Sequence, residues 1–277
     1  MELIENKSTA SVSIKKVNGT QWVDANDQLA VEEPIEIKLN YFDGGHATEK
    51  NISVTMRTPG HDEELALGFL FTEGIIQRVD QIKEVNTPKE NTIVVTLVES
   101  EIPSLQSTER NFYTTSSCGV CGKSSIDAIR TTSAYQPSAD RMVIHSSFLF
   151  GLQDRLRKVQ AVFESTGGLH ASAIFDVESK LITLREDVGR HNALDKVIGA
   201  SFMNNKLPLS DVLLLLSGRA SFELIQKASM AGIKIVAAIG APSSLAVKLA
   251  QEFDMTLIGF LRDNRFNIYS GQKRIEL

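Results

Sequence analysis

The sequence predicts a mixed α/β protein, and three observations lead to that prediction. At 277 residues the chain is long enough for one large domain or two ordinary ones. Hydrophobic residues make up 42% and charged residues 23%, which is typical of a soluble globular chain with a sizeable core. In the C-terminal half, strand-like and helix-like segments alternate, which favours right-handed βαβ crossovers and a parallel sheet.

The N-terminal half combines short strands with one helix. Residues 1–20 alternate weakly between polar and apolar side chains, which predicts an edge strand or a loose terminus. Asp62 to Ile76 has partly helical spacing of its apolar residues and follows the breaker Thr58-Pro59-Gly60. The polar, irregular residues 99–117 are expected to divide the two halves. Three strands are predicted here: Pro34–Leu39, Asn51–Met56 and Thr92–Val98.

The C-terminal half has clearer periodicity. From Ser146 to Glu164, apolar residues recur at spacings of three and four, which predicts a helix. Two short strands follow, and a regular alternation of helices and strands then runs to Phe260. The predicted strands are Ala171–Val177, Leu181–Arg185, Val212–Ser217, Lys234–Ile239 and Met255–Phe260, and the predicted helices are Arg190–Phe202, Ser221–Ala231 and Ser243–Phe253.

Charge and hydropathy argue against two classes of partner. The net charge of −5 disfavours broad binding to nucleic acid or to anionic lipid. The longest apolar runs, such as Val212–Leu216, have the length of a buried strand and not of a membrane span. The first residues lack a basic segment followed by an apolar one, so no secretory signal is predicted. We therefore expect a cytoplasmic protein whose thiols are kept reduced.

The only two cysteines lie three residues apart, at Cys118 and Cys121, in a glycine-rich segment. A serine-capped helix is predicted directly after them, and Lys123 is adjacent. The positive end of a helix and a lysine charge both favour the thiolate over the thiol. A thiolate can accept a sulfur atom from a persulfide and later release it, so the segment favours sulfur transfer.

Two other uses of this cysteine pair remain open. Structural zinc takes four protein ligands, and neither a second cysteine pair nor histidines at zinc-finger spacing accompany this one. No bound metal is therefore expected. A dithiol–disulfide redox motif usually ends the first strand of a βαβ unit, whereas this pair precedes the regular α/β half.

Three strand ends carry the residues expected to bind a phosphorylated ligand. In parallel sheets, ligands bind outside the carboxyl ends of the strands, where helix N-termini offer free N–H groups to phosphate. Each turn contains glycine or serine, and two of the three turns also contain arginine, the side chain best matched to phosphate. The turns contain Glu186, Asp187, Gly189, Arg190 and His191 after one strand, Ser217, Arg219 and Ser221 after the next, and Gly240 to Ser244 after the third.

Further candidates lie beside these turns. Glu186, Asp187 and Asp195 are expected to bond a guanine edge or a ribose, and His170 opens a strand after two glycines. A last turn with two arginines could bind a second phosphate group. Its residues are Phe260, Leu261, Arg262, Asp263, Asn264 and Arg265.

Four segments together resemble the formate dehydrogenase accessory sulfurtransferase family, also called FdhD or NarQ. The most specific is Glu186-Asp187-Val188-Gly189-Arg190-His191-Asn192-Ala193-Leu194-Asp195-Lys196. The others are Leu67-Gly68-Phe69 with Thr72-Glu73-Gly74-Ile75-Ile76, Cys118-Gly119-Val120-Cys121-Gly122, and Ser217-Gly218-Arg219-Ala220-Ser221. The resemblance extends from about residue 30 to the end of the chain.

The resemblance implies a domain arrangement. A smaller N-terminal α+β domain (1–115) would be followed by the Cys-x-x-Cys loop with a short helix (116–135). A cytidine-deaminase-like, three-layer α/β/α domain (136–277) would complete the chain. A deaminase also needs a His/Cys-x-Glu segment followed by Pro-Cys-x-x-Cys, and this chain has neither, so deamination is not expected.

The resemblance also implies a sulfurtransferase function. The family takes sulfur from a cysteine desulfurase and passes it to the molybdenum bis(guanine dinucleotide) cofactor before formate dehydrogenase apoenzyme receives that cofactor. Cys118 matches the persulfide carrier, Cys121 matches the second cysteine, and Phe260–Arg265 matches the cofactor-binding segment. GDP is then a partial mimic of the cofactor, and a homodimer is expected because the family is often dimeric.

Overall fold

The computed structural model of the protein describes residues 8–105 and 142–277. The elements of the first range are β1 (Thr9–Asn18), β2 (Gln21–Ala30), β3 (Glu33–Asp43), β4 (His46–Arg57), α1 (Asp62–Thr72), β5 (Ile82–Lys89) and β6 (Thr92–Leu97). Those of the second are β7 (Ile144–His145), α2 (Ser146–Leu149), α3 (Leu152–Val159), α4 (Ala161–Thr166), β8 (His170–Phe175), β9 (Leu181–Asp187), α5 (Arg190–Met203), β10 (Leu213–Leu216), α6 (Phe222–Met230), β11 (Ile235–Ala238), α7 (Ser244–Glu252), β12 (Thr256–Arg262), β13 (Arg265–Ser270) and β14 (Ile275–Glu276). The predicted α/β class is confirmed. Both proposed domain boundaries fall outside the described residues.

The N-terminal half is built on a four-stranded sheet in the order β4-β3-β6-β5. Its central strand β3 buries Ile35, Ile37, Leu39 and Tyr41, while the residues between them stay partly exposed. This period of two is expected of a strand with one face against the core. The strands predicted at 34–39, 51–56 and 92–98 are confirmed, whereas β2 and β5 were missed because polar residues dominate both.

The C-terminal half contains a six-stranded sheet in the order β13-β12-β11-β10-β8-β9. β10, β11 and β12 are parallel, as predicted. β8 and β13 run antiparallel to them, and β9, antiparallel to β8, runs in their direction again, so the sheet is mixed. Alternate residues of β10 enter two separate apolar clusters: Leu214 and Leu216 face one, and Leu213 and Leu215 face the other. Residues of α5, α6 and α7 belong to the first cluster, and residues of α2 and α3 to the second. The sheet is therefore the middle of three layers.

The single helix predicted from Ser146 to Glu164 is wrong. The segment forms the three short helices α2, α3 and α4. Gly151 interrupts it with a φ of 75°, a left-handed conformation that glycine adopts without strain. Gln160 causes the second break because its ψ of 75° lies outside the helical region. The apolar spacing correctly indicated helical structure, but it did not show where the backbone breaks the helix.

A close crossing of α1 over α5 joins the two halves. A Cβ atom at Gly68 would lie 1.9 Å from the Asp195 carbonyl oxygen, and one at Gly199 would lie 1.8 Å from that of Glu64. Only glycine therefore fits at these two positions. Residues of both halves belong to one apolar cluster, including Ile37 in the first half and Leu214 in the second. No helix within 8–105 or 142–277 is long and apolar enough to cross a membrane.

This crossing predicts a specific sensitivity to a methyl group. Gly199→Ala should lower the free energy of unfolding by about 2–3 kcal/mol, or prevent folding, since backbone lies where the methyl group must go. Gly168→Ala is the matched control, because its nearest neighbour beyond the adjacent residues, Ala30 Cβ, is 3.8 Å away. Urea denaturation measures both. Equal stability of the two variants would mean that the helices do not cross this closely.

Candidate functional site

The carboxyl edge of the six-stranded sheet brings the predicted turns together. β8 starts at this edge and β9 ends there, so that His170 pairs with Asp187. The backbone N–H of Gly240 donates to the Gly218 carbonyl at 3.0 Å, and that of Phe260 donates to the Gly240 carbonyl at 3.1 Å. These bonds link the turns after β10 and β11 to the end of β12, so the edge forms one continuous surface.

The edge carries several arginines that no carboxylate within 8–105 or 142–277 neutralises. In the described residues, Arg190, Arg219 and Arg265 form no ion pair with a carboxylate. The Nε atom of Arg190 is buried and finds no hydrogen-bond partner there. Arg262 donates from Nη1 to the Ile239 carbonyl at 2.8 Å but has no acidic partner in this part of the chain either. Free guanidinium donors beside the N-termini of α5 and α6 suit an anionic ligand.

His170 lies half-buried between these groups. A Cβ atom at Gly218 would be 3.1 Å from its Nδ1, so the glycine lets the chain pass close to the ring. Burial lowers the pKa of His170, and the positive charge of Arg190 and the neighbouring His191 lower it further. The imidazole is therefore held neutral at neutral pH and offers one donor and one acceptor to a ligand.

A polar contact joins the first turns of α5 and α6. His191 Nε2 lies 3.3 Å from Ser221 Oγ and 3.8 Å from Glu223 Oε2. The His191 and Ser221 side chains outweigh burial and lower the pKa of Glu223 to about 2. Both partners meet the same imidazole nitrogen, so the group lacks the relay of a hydrolytic triad.

Asp187 is buried and bonded to other residues of the protein, so its carboxylate is not open to a ligand. We call this set of contacts the junction. Its Oδ2 accepts from the Thr58 backbone N–H at 3.1 Å and lies 2.7 Å from Lys196 Nζ. Its Oδ1 accepts from the Gly189 N–H at 2.8 Å and from Asn192 Nδ2 at 3.1 Å. Lys196 also donates to the Thr58 carbonyl at 2.8 Å. Because Thr58 belongs to the N-terminal half, this buried carboxylate binds the two halves together.

The other two predicted carboxylates are also occupied. Glu186 accepts the backbone N–H groups of Val162 and Phe163, at 3.2 and 2.9 Å, at the start of α4. Asp195 is buried beneath α1, where Lys227 Nζ lies 2.9 Å from its Oδ2. Glu186, Asp187 and Asp195 thus all have internal partners. They are not left open to bond a guanine edge or a ribose, although the sequence had predicted such contacts.

The predicted last turn is a hairpin. Phe260 to Arg262 still belong to β12, and Arg265 begins β13, which leaves only Asp263 and Asn264 in the turn. Phe260 has a φ of 52° and is 43% exposed, whereas Leu261 is fully buried. A bulky residue in the left-handed region is unusual, and here it coincides with a register shift between Gly259 and Arg262 in the pairing of β12 with β13.

The predicted catalytic residues Cys118 and Cys121, with Lys123, lie outside the described residues. Within 8–105 and 142–277, no group of three or more His, Cys, Asp or Glu side chains is arranged to hold a metal ion.

Comparison with known proteins decides the family. The model of the FdhD/NarQ family matches residues 30–276, which is most of the chain. The chain belongs to the FdhD/NarQ family. The resemblance predicted from the four segments is thereby confirmed.

Relatives of high identity are similar over nearly the whole chain. The "Sulfur carrier protein FdhD" of Streptomyces avermitilis is 48% identical and aligns over 91% of this chain and 90% of its own length. The protein of the same name from Mycobacterium tuberculosis is 42% identical, with 97% and 99% covered. A "putative formate dehydrogenase accessory protein" from Desulfotalea psychrophila, known from a crystal structure, has a TM-score of 0.73 at 22% identity. That structure covers 96% of this chain and 99% of its own, and it supports the fold alone.

The structure adds residues that the sequence interpretation missed. Asn192 and Lys196 stand inside the most specific family segment and, with Thr58, complete the junction around Asp187. Glu223 and Lys227 follow the Ser217–Ser221 turn and contact α5 from α6. A sequence signal existed only for Asn192 and Lys196, because both lie in the Glu186–Lys196 segment that carries the family resemblance.

The lowered pKa of Glu223 predicts a change of stability with pH. A carboxylate whose pKa falls on folding stabilises the native state above its ordinary pKa of 4.5, and this contribution is lost as the pH falls to about 2. Glu223→Gln should therefore lose less unfolding free energy than the wild type over that range. Denaturation at several pH values measures this. The exposed Glu164→Gln is the control and should follow the wild type; identical curves for Glu223→Gln would contradict the pairing.

Proposed function

We propose that this protein is a sulfur carrier. It takes sulfur from a cysteine desulfurase as a persulfide on Cys118 and gives it to the molybdenum bis(guanine dinucleotide) cofactor, its substrate, before that cofactor enters formate dehydrogenase. Relatives that align over nine-tenths of the chain are named sulfur carriers. The structural observation that carries the proposal is the carboxyl edge, where Arg190, Arg219 and Arg265 lack acidic partners in the described chain.

The sulfur steps require only thiolate chemistry. The Cys118 thiolate attacks the outer sulfur of the desulfurase persulfide, so that this one sulfur atom moves to Cys118 as a new persulfide and the desulfurase cysteine leaves as a thiolate. Cys121 can then attack the inner sulfur of Cys118, forming a disulfide and releasing hydrosulfide to the acceptor. A dithiol reductant must reduce that disulfide before the next cycle. Cys118 is thus the carrier, and Cys121 releases the sulfur.

The nucleotide part of the substrate fits the edge through its phosphates. A diphosphate beside the Gly189–His191 and Ser217–Ser221 turns would meet Arg190, Arg219 and the N–H groups that begin α5 and α6. Arg262 and Arg265 on the β12–β13 hairpin would serve a second phosphate group. The edge would bind the phosphates and not the guanine or ribose through Glu186, Asp187 and Asp195, because these carboxylates have internal partners.

The remaining partners follow from this function. A cysteine desulfurase must supply the sulfur, and formate dehydrogenase apoenzyme must receive the cofactor, both in the cytoplasm. We further propose that the working form is a homodimer. A cofactor chaperone that does not handle sulfur is the rival function, and the arginine-rich edge alone would be sufficient for it.

Sulfur loading tests the carrier. After incubation with a desulfurase and cysteine, Cys118→Ala should gain no stable sulfur, because the accepting thiolate is absent. Cys121→Ala should still gain one sulfur that a reductant removes, but should deliver it poorly. Intact mass spectrometry under identical conditions measures both.

Two results would contradict this assignment. Wild-type loading of Cys121 in the Cys118→Ala protein would reverse the roles of the two cysteines. Full formate dehydrogenase activity in a deletion strain that carries the double alanine variant would exclude sulfur carriage and favour the chaperone.

GDP binding tests the nucleotide edge. Arg219→Ala should weaken GDP binding by about 1.5–3 kcal/mol, the scale of one charge-assisted hydrogen bond. Arg155→Ala is the matched control, because Arg155 bonds Ser179 in the turn at the opposite end of β8 and β9. Isothermal titration calorimetry measures both. A wild-type protein that binds no GDP at millimolar concentration would remove this site.

A further inference from the structure

Two contacts, one helical turn apart, fix α6 against α5. The upper contact joins His191 to Glu223, and the lower contact places Lys227 Nζ 3.0 and 2.9 Å from the two carboxylate oxygens of Asp195. Each helix contributes residues four positions apart, so both contacts lie on facing sides of the two helices. We call these four residues the α5–α6 seam.

The lower contact of the seam also includes α1. Thr72 Oγ1 accepts from Lys227 Nζ at 2.8 Å and donates to Asp195 Oδ1 at 3.0 Å. Glu73 Oε1 lies 3.7 Å from the same ammonium group. The α1–α5 crossing at Gly68 brings Thr72 to this position, because Gly68 lies directly against Asp195. One ammonium group therefore holds three helices.

The burial of this pair argues for a role beyond stability. The Lys227 and Asp195 side chains are only 8% and 2% exposed. Burial raises the pKa of Asp195, and Lys227 and Thr72 oppose that rise. Taking two charges out of water costs about as much as their attraction returns, so neutral replacements are often equally stable. The best-attested benefit of such pairs is that they fix one register of packing.

The register of α6 on α5 matters because both helices begin at the carboxyl edge. His191 stands in the first turn of α5, and Ser221 immediately precedes α6. A shift of α6 along α5 would change the distance between the Gly189–His191 turn and the Ser217–Ser221 turn. A ligand that spans both turns is sensitive to such a shift, whereas one that contacts a single turn is not.

We propose that Lys227 is a positioning residue that, through Asp195 and Thr72, sets the spacing of these two turns for a bridging diphosphate. The inference rests on the nucleotide site of the proposed function. Lys227 touches no ligand itself. It acts by holding the N-terminus of α6 in register with that of α5.

The charge-neutral double variant Asp195→Asn/Lys227→Met tests the proposal. Its net charge equals that of the wild type, so long-range attraction of anions is unchanged. We expect a thermal midpoint close to that of the wild type and GDP affinity lowered by about tenfold or more, since small misplacements of binding groups have effects of this size. Inorganic phosphate, small enough for one turn, should bind with unchanged affinity. Equal GDP affinity in the folded variant and the wild type would overturn the proposal.

A second measurement separates this inference from the proposed function. The ¹⁵N signals of the His191 ring report the upper contact, and they should shift in the double variant but not in Lys248→Met on the exposed side of α7. If the wild type binds no GDP, the proposed nucleotide site is wrong. If the His191 signals of the double variant equal those of the wild type, the positioning role of Lys227 is wrong. Should the double variant not fold, Thr72→Val, which removes only the bridging hydroxyl, must give the same changes.

Discussion

The buried carboxylate of Asp187 holds the two halves of this protein together. It accepts the Thr58 backbone N–H from the first half and the Gly189 N–H and Asn192 side chain from the second, and Lys196 lies 2.7 Å away. A buried charge is tolerated only when it is paired and fully hydrogen-bonded, so each of these partners depends on the others. The same helix, α5, also carries Gly199, where α1 crosses it closely. This crossing follows the junction residues Asn192 and Lys196 along the helix. The interface between the halves is thus fixed by polar geometry and by close packing together.

This junction explains why one short segment has two uses. Asp187, Asn192, Asp195 and Lys196 are buried and form the interface, whereas Arg190 belongs to the open edge of the sheet. The helix that carries them therefore couples the arginine-bearing edge to the N-terminal half. Its N-terminus stands beside the N-terminus of α6, so the arginines of both turns act on one surface. Within the described part of the chain, the nearby carboxylates Glu186, Asp187 and Asp195 have other partners and do not neutralise these arginines.

Much of the fold followed from periodicity, since the parallel strands β10 to β12 and the helices between them have strong apolar patterns. The β2 and β5 strands were missed because polar residues dominate both, and only a few side chains, such as Ile82 and Val85 of β5, pack against the core. The break of the 146–164 helix depended on backbone angles at Gly151 and Gln160, which apolar spacing does not encode. The convergence of the strand-end turns was foreseeable from the rule for parallel sheets. The internal partners of Glu186, Asp187 and Asp195 were not, because Thr58 and Lys227 are distant in sequence.

The stability and ligand affinity of two variants within this segment test the central claim most directly. Asp187→Asn keeps the shape but leaves Lys196 buried without its charged partner, and it should lower the free energy of unfolding by about 3–5 kcal/mol. Arg190→Ala, three residues away, should weaken GDP binding while its unfolding free energy stays within about 0.5 kcal/mol of the wild type, as for most substitutions outside the core. Urea denaturation measures the unfolding free energy of both proteins, and calorimetry with GDP measures their affinity for the nucleotide. Wild-type stability in Asp187→Asn, or an equal loss of stability in both variants, would contradict it.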